Sequence, residues 1–346
     1  MTRPLELGLL LCSQFTTGDD PVAGFAEQVD QVRFARDSGF DGVFASQHYL
    51  AHPFRYLHPL PVLARMVAEA GDMRIGTTIA LLALPSPVDL AEELATLDVI
   101  SGGRLTVGVG LGYRDVEFDA FGVPPDQRLR RFLDNLDLMR RLWTQDAVSF
   151  DAEHANLQDV PVALRPVQRP HPPIWMAGHT DAAIRRAARR GLPWIAAAAH
   201  VDDGYLQHQV KVYRDACAEY GHEDLDLPML QELYVAPTQD QALEVVRRSL
   251  GLKYRAYRQW GQDSILPADQ SFDREFDELR QGRFIIGDPE ECVTRIQGLV
   301  DSVGPTHLLL RMQWPGMTQQ EVMSNMQLFA TEVMPALHDA GGKETS

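Results

Sequence analysis

Residues 5–46 contain LELGLLL (5–11), FAEQVDQVRFARDS (25–38) and GVFAS (42–46). The first and third stretches are apolar runs of strand length, whereas the middle stretch places Phe25, Val29 and Val32 near helical spacing. A strand, a helix and a second strand in this order are typical of a βαβ unit with two parallel strands. This stretch therefore predicts an α/β fold.

The same alternation continues along the chain. Further apolar runs of strand length occur at 74–82, 104–110, 173–177, 194–199, 229–235 and 307–312. Amphipathic helices are predicted at 88–100, 128–143, 181–190, 290–303 and 318–338. A doubly wound sheet is one arrangement of these elements, but about eight strands are the number that closes a parallel barrel. We therefore predict a single (β/α)8 TIM-barrel domain over residues 1–346.

Two segments interrupt the alternation of strands and helices. Residues 149–173 are rich in Pro and His, and residues 260–287 are polar and acidic with few apolar positions. Long irregular segments in compact domains often serve as lids or binding loops. Because residues 260–287 fall between the predicted seventh and eighth strands, where a barrel carries active-site loops, we predict that they form a lid.

The composition argues for a small-molecule role. The formal net charge of -16 disfavours nucleic-acid binding, which depends on clustered Lys and Arg. The three cysteines, Cys12, Cys217 and Cys292, are widely spaced and odd in number, so they predict buried reduced thiols and no disulfide framework. No apolar run reaches the roughly 18 residues that span a bilayer. We therefore predict a cytoplasmic protein without membrane contacts.

Barrel enzymes carry their chemistry just after the strands, and two such positions stand out. His48 comes directly after the second predicted strand, and the run from Gly110 to Tyr113 follows the fourth. A lone histidine is often structural, but its place at a strand's carboxyl end favours a catalytic or cofactor-contacting role. The two loops are predicted to face one another across the barrel.

The glycines at 108, 110 and 112 do not form a dinucleotide-binding motif. Tyr113 and Asp115 occupy the positions where G-x-G-x-x-G needs its last glycine. Glycines at a strand end instead let a flat ring or a phosphate approach the backbone closely.

A second candidate feature follows the predicted strand at 173–177. Gly178 marks a sharp turn, and Thr180 is a candidate N-cap for the next helix, whose first N–H groups would suit a cofactor phosphate. An ordinary capped helix is the alternative. The arginines further along this helix, at 185, 186, 189 and 190, are predicted to form a solvated face. The histidines form no H-x-x-x-H or H-E-x-x-H pattern, so no metal site is predicted.

Taken together, five segments resemble the luciferase-like flavin-dependent monooxygenases over essentially the whole chain. They are Gly39–Phe44 with Gln47-His-Tyr49, Ile75 through Pro87, Leu97 through Leu105 continuing to Gly112 and Phe121-Gly122, Pro170–Gly178, and Gly287-Asp-Pro-Glu-Glu with Val333-Met-Pro. Their order and spacing together are specific to that family, whereas the single pieces are not.

This resemblance implies a flavin-dependent oxidoreductase. Reduced FMN would be supplied by a separate NAD(P)H-dependent reductase, and oxygen addition would give a flavin hydroperoxide that oxygenates a small organic substrate. The protein would hold the ring, exclude water and position the substrate. The resemblance also suggests a homodimer packed through helices of the N-terminal half.

The resemblance assigns roles to individual residues. His48 matches the family's histidine near the flavin ring, and the Thr78–Ile79 bond matches a position where relatives hold a cis peptide, which we predict here as well. The residues that match cofactor contacts are Thr78, Ile79, Gly110, Leu111, Tyr113, Arg128, Ala177, Gly178, His179 and Thr180. Trp194, Gln313 and Trp314 are candidates for the substrate side at the barrel top, and core or rim positions are the alternative for them.

The sequence also departs from the luciferases themselves. They show Glu-His-His where this chain has Gln47-His48-Tyr49, and a cysteine where it has Gly110. Light emission is therefore not expected, and the glycine is predicted to leave extra room over the ring. Two alternatives stay open: an F420-dependent oxidoreductase that transfers hydride, and a non-catalytic flavin-binding protein.

Overall fold

The computed structural model describes residues 4–197, 203–262, 272, 276–280 and 282–337. Its strands, in chain order, are β1 (Glu6–Leu11), β2 (Gln14–Phe15), β3 (Gly42–Ala45), β4 (Arg55–Tyr56), β5 (Arg74–Leu81), β6 (Leu105–Gly110), β7 (Ala147–Ala152), β8 (Ala155–Pro161), β9 (Ile174–Ala177), β10 (Trp194–Ala197), β11 (Pro228–Val235), β12 (Phe284–Gly287) and β13 (His307–Arg311). Its helices are α1 (Pro21–Asp37), α2 (Pro59–Met66), α3 (Pro87–Ile100), α4 (Asp115–Ala120), α5 (Arg128–Thr144), α6 (Asp181–Arg189), α7 (Asp203–Tyr220), α8 (Gln239–Gln259), α9 (Phe276–Arg280), α10 (Pro289–Val303) and α11 (Gln319–Leu328).

Eight of these strands close into a parallel barrel. Around the barrel the order is β1, β3, β5, β6, β9, β10, β11 and β13, and β13 pairs back with β1. Helices connect the strands on the outside, as right-handed crossovers between parallel strands require. The prediction of a (β/α)8 barrel is confirmed, and the eight predicted strand positions correspond to its eight strands.

Side chains fill the barrel interior. Phe44 on β3 and Trp175 on β9 stack with ring centroids 5.6 Å apart, and Leu10, Ile195 and Leu309 pack around them. Glycines on β1 and on β3 itself make room for this layer, since a Cβ added at residue 8 or 42 would lie 2.8 Å from the Phe44 ring. Full burial of such large side chains stabilises the fold by about 2–3 kcal/mol each.

Local signals fix several helix ends. Asp288 accepts a hydrogen bond from the Glu291 backbone N–H at 3.0 Å, and Pro289 stands at the first helical position of α10. At α11, Thr318 and Glu321 form a capping box. The predicted helix at 318–338 is not α-helical throughout, because a π-helical turn at Phe329–Val333 follows α11.

The two segments that interrupt the alternation have different outcomes. The prediction that 149–173 is irregular is wrong in part, because β7 and β8 form an antiparallel hairpin there. Of the predicted lid at 260–287, residues 263–271, 273–275 and 281 lie outside the described residues. The end of that segment forms β12, which pairs with the second half of β11 as a ninth strand of the sheet. The lid itself stays a prediction.

Three further findings concern the described ranges. No helix in them combines the length and apolar character that crossing a bilayer requires. No group of three or more metal-ligating side chains occurs within the same ranges. All three cysteines are buried and free, which confirms the prediction of buried thiols.

Candidate active site

A cavity of about 480 Å³ opens at the carboxyl end of the barrel. Residues from all eight barrel strands or the loops that follow them line it, and α8 adds a further wall. Leu10 and Ile195, from the packed layer inside the barrel, form part of its floor. Barrel enzymes place their active sites at this end because the loops that follow the strands converge there.

Eleven of the fourteen site residues predicted from the sequence line this cavity. They are His48, Thr78, Ile79, Gly110, Leu111, Tyr113, Arg128, Ala177, Gly178, His179 and Thr180. The peptide bond between Thr78 and Ile79 is cis, which confirms that prediction. The loops after β3 and β6, expected to face one another, both reach the cavity.

The structure does not bring Trp194, Gln313 and Trp314 to the cavity wall. The Trp194 indole donates to the Gly178 carbonyl at 2.9 Å and is buried in the main core. Trp314 is also buried, and its indole N–H donates to Glu232. Trp194 is the first residue of β10 and lies at the amino end of that strand, whereas Gln313 and Trp314 follow Arg311, which is the last residue of β13 and does line the cavity.

A buried carboxylate orients His48. Oε1 of Glu117, on α4, lies 3.0 Å from Nδ1 of His48 and also accepts the backbone N–H of Tyr49 at 2.9 Å. Arg114 donates to the same oxygen at 3.2 Å, and both charged side chains are nearly inaccessible. Because a carboxylate accepts, Nδ1 is the donor in this contact, which leaves Nε2 as the ring nitrogen that could accept a proton.

Aromatic rings enclose His48. Tyr56, Tyr113, Tyr257 and Trp260 all have ring centroids within 6.4 Å of the imidazole. Trp260 is fixed in turn, because its indole donates to the His52 carbonyl at 2.7 Å and the Arg114 guanidinium lies 4.2 Å from its ring centroid. Such a surround limits the access of water to the imidazole.

Gln47 joins the ends of two barrel strands. Its Oε1 accepts the Leu81 backbone N–H at 2.7 Å, and its Nε2 lies 2.8 Å from both the Tyr49 hydroxyl and Nε2 of His58. This network ties the loop after β3 to the end of β5, so the positions of His48 and of the Thr78–Ile79 bond are coupled.

The loop after β9 has the features of an anion site. Thr180 caps α6 by accepting the Ala183 backbone N–H at 3.3 Å, which confirms the predicted N-cap. Gly178 packs tightly, since a Cβ there would lie 2.6 Å from the Ala183 methyl group. Gln209 on α7 donates to the His179 carbonyl at 2.8 Å and steadies the loop. The helix start therefore presents N–H groups and a positive dipole end to the cavity.

Two arginines belong to this end of the cavity. Arg128 begins α5, pairs with Asp115 at 2.7 Å and lies 4.0 Å from the Phe118 ring centroid. Arg186 also lines the cavity. The prediction that all four arginines of α6 form a solvated face is therefore wrong for Arg186, because this residue is near enough to the start of α6 for its long side chain to reach the opening.

A charged cluster forms another part of the wall. Glu232 near the end of β11 pairs with Lys253 of α8, and Arg311 at the end of β13 lies 3.7 Å from the same carboxylate oxygen. Arg311 also donates to the Tyr257 hydroxyl at 3.3 Å. Burial would raise the pKa of Glu232, but the ammonium and guanidinium groups outweigh it and lower that pKa, so the carboxylate is ionised.

Residues 5–307 match the family described as luciferase-like monooxygenase. Monooxygenase RslO1 from Streptomyces bottropensis superimposes with a TM-score of 0.84 at 27% identity, over 96% of this chain and 99% of that one. The F420-dependent glucose-6-phosphate dehydrogenase of Kineococcus radiotolerans is 28% identical over 97% of this chain and 98% of its own. The FMN-bound oxygenating constituent of 3,6-diketocamphane monooxygenase from Pseudomonas putida, at 18% identity, shares the fold with a TM-score of 0.81, over 97% of this chain and 99% of that one.

The chain belongs to the luciferase-like monooxygenase family. This confirms the resemblance recognised in the sequence and places the chain among oxidoreductases. The glycine at 110 does not leave free space, contrary to expectation. A Cβ there would overlap Cδ1 of Ile79, so the Ile79 side chain already fills that position.

The sequence did not predict several charged residues at or beside this cavity. Glu117, Arg114, Glu232, Lys253 and Arg311 all contribute buried charge at or beside the cavity. Arg311 could have been predicted from the sequence, because it is the last residue of the eighth barrel strand and active-site residues of barrel enzymes lie at such strand ends. Lys253 gave no local signal, since it lies in the middle of a long amphipathic helix.

Proposed function

We propose that this protein is a monooxygenase that binds reduced FMN, delivered by a separate NAD(P)H-dependent reductase, and uses O₂ to oxygenate a small organic substrate. The observation that carries the proposal is the convergence of eleven family-matched residues on one cavity, where a buried carboxylate orients His48.

The cavity fits a flavin mononucleotide in size and chemistry. Its volume of about 480 Å³ lies within the ordinary range of small-molecule sites. Two buried polar atoms on its wall, Thr78 Oγ1 and Arg128 Nε, form no hydrogen bond with any described residue. Because buried polar groups are normally paired, such atoms favour a polar ligand.

The two ends of an FMN molecule would find different partners. The α6 start at Thr180, with Arg128 and Arg186, suits the phosphate because N–H groups and guanidinium groups both stabilise anions. Thr78 and Ile79 from β5 and Gly110 from β6 offer a flat wall for the ring. When bound, reduced FMN supplies the electrons that activate O₂ for transfer of one oxygen atom to the substrate.

The chain itself would orient the ring, move a proton and exclude water. His48 is placed to hold or accept a proton at Nε2, because Glu117 fixes Nδ1 as the protonated nitrogen. Burial lowers the pKa of His179 and raises that of Tyr113, which keeps both side chains neutral beside the cavity. Water exclusion limits unproductive loss of activated oxygen as peroxide.

A second candidate is hydride transfer with F420 and no oxygen. The observation that favours it is the relative in Kineococcus radiotolerans, which is named as F420-dependent and matches nearly the full length of this chain. The same helix start and arginines would bind the phosphate of F420, so both candidate functions use the same anion-binding end of the cavity.

Anaerobic titration of the purified protein with reduced FMN, and separately with reduced F420, tests the proposal. Oxygen is then admitted under stopped-flow absorbance. We expect tighter binding of reduced FMN and an oxygen-dependent absorbance transient that free flavin does not show. A preference for F420 without any oxygen-dependent phase would assign the chain to the hydride-transfer class. Binding of FMN with no reaction at all would identify a non-catalytic flavin-binding protein.

A further inference from the structure

The charged cluster of Glu232, Lys253 and Arg311 lies on a wall that the flavin-matched residues do not use. Those eleven residues come from β3, β5, β6, β9 and the segments that follow them, whereas the cluster comes from β11, β13 and α8. In the barrel order, β11 lies across from β5, and β13 lies across from β6. The cluster therefore faces the ring wall from the other side of the cavity.

The cluster carries more positive than negative charge. Lys253 and Arg311 share one carboxylate, that of Glu232, and their side chains are only 1% and 11% exposed. Among the described residues in contact with the cluster, no second carboxylate balances the remaining cation. Burial raises the pKa of the neighbouring Cys12 thiol, which therefore stays neutral. An unbalanced buried cation is costly unless an anion joins it.

Arg311 has donors to spare. Its Nη1 donates to the Tyr257 hydroxyl, while the buried Nε forms no hydrogen bond with any described residue. Since a guanidinium offers five N–H groups in a planar fork, a side chain with one hydrogen bond is far from satisfied. A carboxylate is the planar anion that such a fork binds best.

The surroundings of the cluster are apolar and aromatic. Tyr254, Tyr257 and Phe272 stand beside it, and Leu230 and Ile195 continue the wall toward the floor. Tyr254 and Phe272 pack edge to face with ring centroids 4.9 Å apart, so one ring edge and one ring face meet beside the cluster. Aromatic side chains of this kind favour contact with a substrate that carries a ring.

We propose that the substrate is an aromatic or alicyclic carboxylic acid whose carboxylate binds Arg311, with the Glu232 carboxylate, itself paired with Lys253, holding the guanidinium in place. The inference rests on the proposed function, because it assigns the flavin to the opposite wall. It makes Arg311 a specificity-determining residue and Glu232 a positioning residue.

The test uses the flavin-free full chain and calorimetric titration. Benzoate and 2-naphthoate are the probes, benzamide and 2-naphthamide are their neutral counterparts, and inorganic phosphate is added to occupy the α6 end. We expect the carboxylates to bind at least about tenfold more tightly than the amides, as a charge-assisted hydrogen bond requires.

Arg311→Met should remove this preference, and Arg311→Lys should restore part of it. Arg255→Met is the matched control, because it removes the same charge from the exposed face of α8.

Three results would overturn the inference. The first is equal affinity for acids and amides in the unaltered chain, and the second is an undiminished preference for acids in Arg311→Met. The third is an Arg311→Met variant that binds reduced FMN more weakly but binds benzoate as the unaltered chain does. The last would place the guanidinium against the flavin. The comparison of acids with amides needs no variant, so it holds even if Arg311→Met fails to fold. Failure of the proposed function looks different: carboxylates would bind while reduced FMN would not.

Discussion

Two charged clusters occupy the two ends of the same strand, β13, and they differ in what surrounds them. At the amino end His307 and Arg74 contact the Glu6 carboxylate at 3.2 and 3.1 Å, and Glu6 is 34% exposed. At the carboxyl end Arg311 and Lys253 share the Glu232 carboxylate, which is 14% exposed. Water screens the first cluster and not the second.

This difference in exposure indicates a structural role for the cluster at the amino end and a binding role for the cluster at the carboxyl end. A half-exposed cluster contributes modestly to stability and needs no ligand. A buried cluster with unused donors costs stability and is retained for what it binds. The packed layer of Phe44 and Trp175 keeps the two ends apart, and Trp175 lies edge to face with His307 at 4.9 Å.

Removal of that layer should have the largest effect on stability. Phe44→Ala deletes a buried ring from the barrel interior, and we expect a loss of about 3–5 kcal/mol in the free energy of unfolding. Urea denaturation followed by circular dichroism measures it. Tyr220→Ala, at a 38% exposed aromatic on α7, is the control and should cost far less. Equal losses in the two variants would show that the interior layer does not separate the ends.

His48→Ala tests the carboxyl end alone. We expect product formed per flavin oxidised to fall about 100-fold and peroxide release to rise, because positioned proton transfer is lost. The unfolding free energy should change little, since Arg114 and the Tyr49 N–H still pair with Glu117. His208→Ala, at an exposed histidine of α7, is the control. Unchanged coupling in His48→Ala would remove this residue from the mechanism.

Two N-cap variants compare a helix start inside the site with one outside it. Thr180→Ala and Thr318→Ala should each cost about 1 kcal/mol in unfolding free energy, because each removes a capping hydrogen bond. Only Thr180→Ala should also weaken the binding of reduced FMN, by a few-fold, in anaerobic titration. If Thr318→Ala weakened FMN binding as much, α6 would have no special role in holding the phosphate.

The amino-end cluster should respond to acid. The hydrogen bond with His307 is the main reason that the pKa of Glu6 falls from 4.5 to about 2, against the opposing effect of burial. Its stabilisation is therefore fully present above pH 4.5 and lost between pH 4.5 and 2.

Glu6→Gln should flatten the thermal stability profile in that window, by a small amount because water screens the pair. Thermal melts from pH 2 to 7 measure it. Benzoate binding at pH 7 should be the same as in the unaltered chain, and a change there would mean that the two ends of β13 are not independent.

The sequence was sufficient to predict much of the site, because each recognised barrel strand fixes which residues lie at its carboxyl end. Once the strand at 42–46 is recognised, His48 must lie at its carboxyl end, and the same holds for Gly110 after β6 and Gly178 after β9. The rule does not extend to Trp194, which begins β10, or to Gln313 and Trp314, which lie beyond Arg311 at the end of β13, and none of the three lines the cavity.

Sequence alone determined the barrel, the order of its strands, the helix start at Thr180 and the placement of His48, because periodicity, capping and strand ends are properties of neighbouring residues. Only the tertiary structure decided that Glu117 orients His48 across 69 positions of sequence and that Lys253 and Arg311 meet at Glu232. Such pairings depend on which helix packs over which strand. No local sequence pattern predicts these pairings, because the free energies of desolvation and of attraction arise only when the charges are buried together.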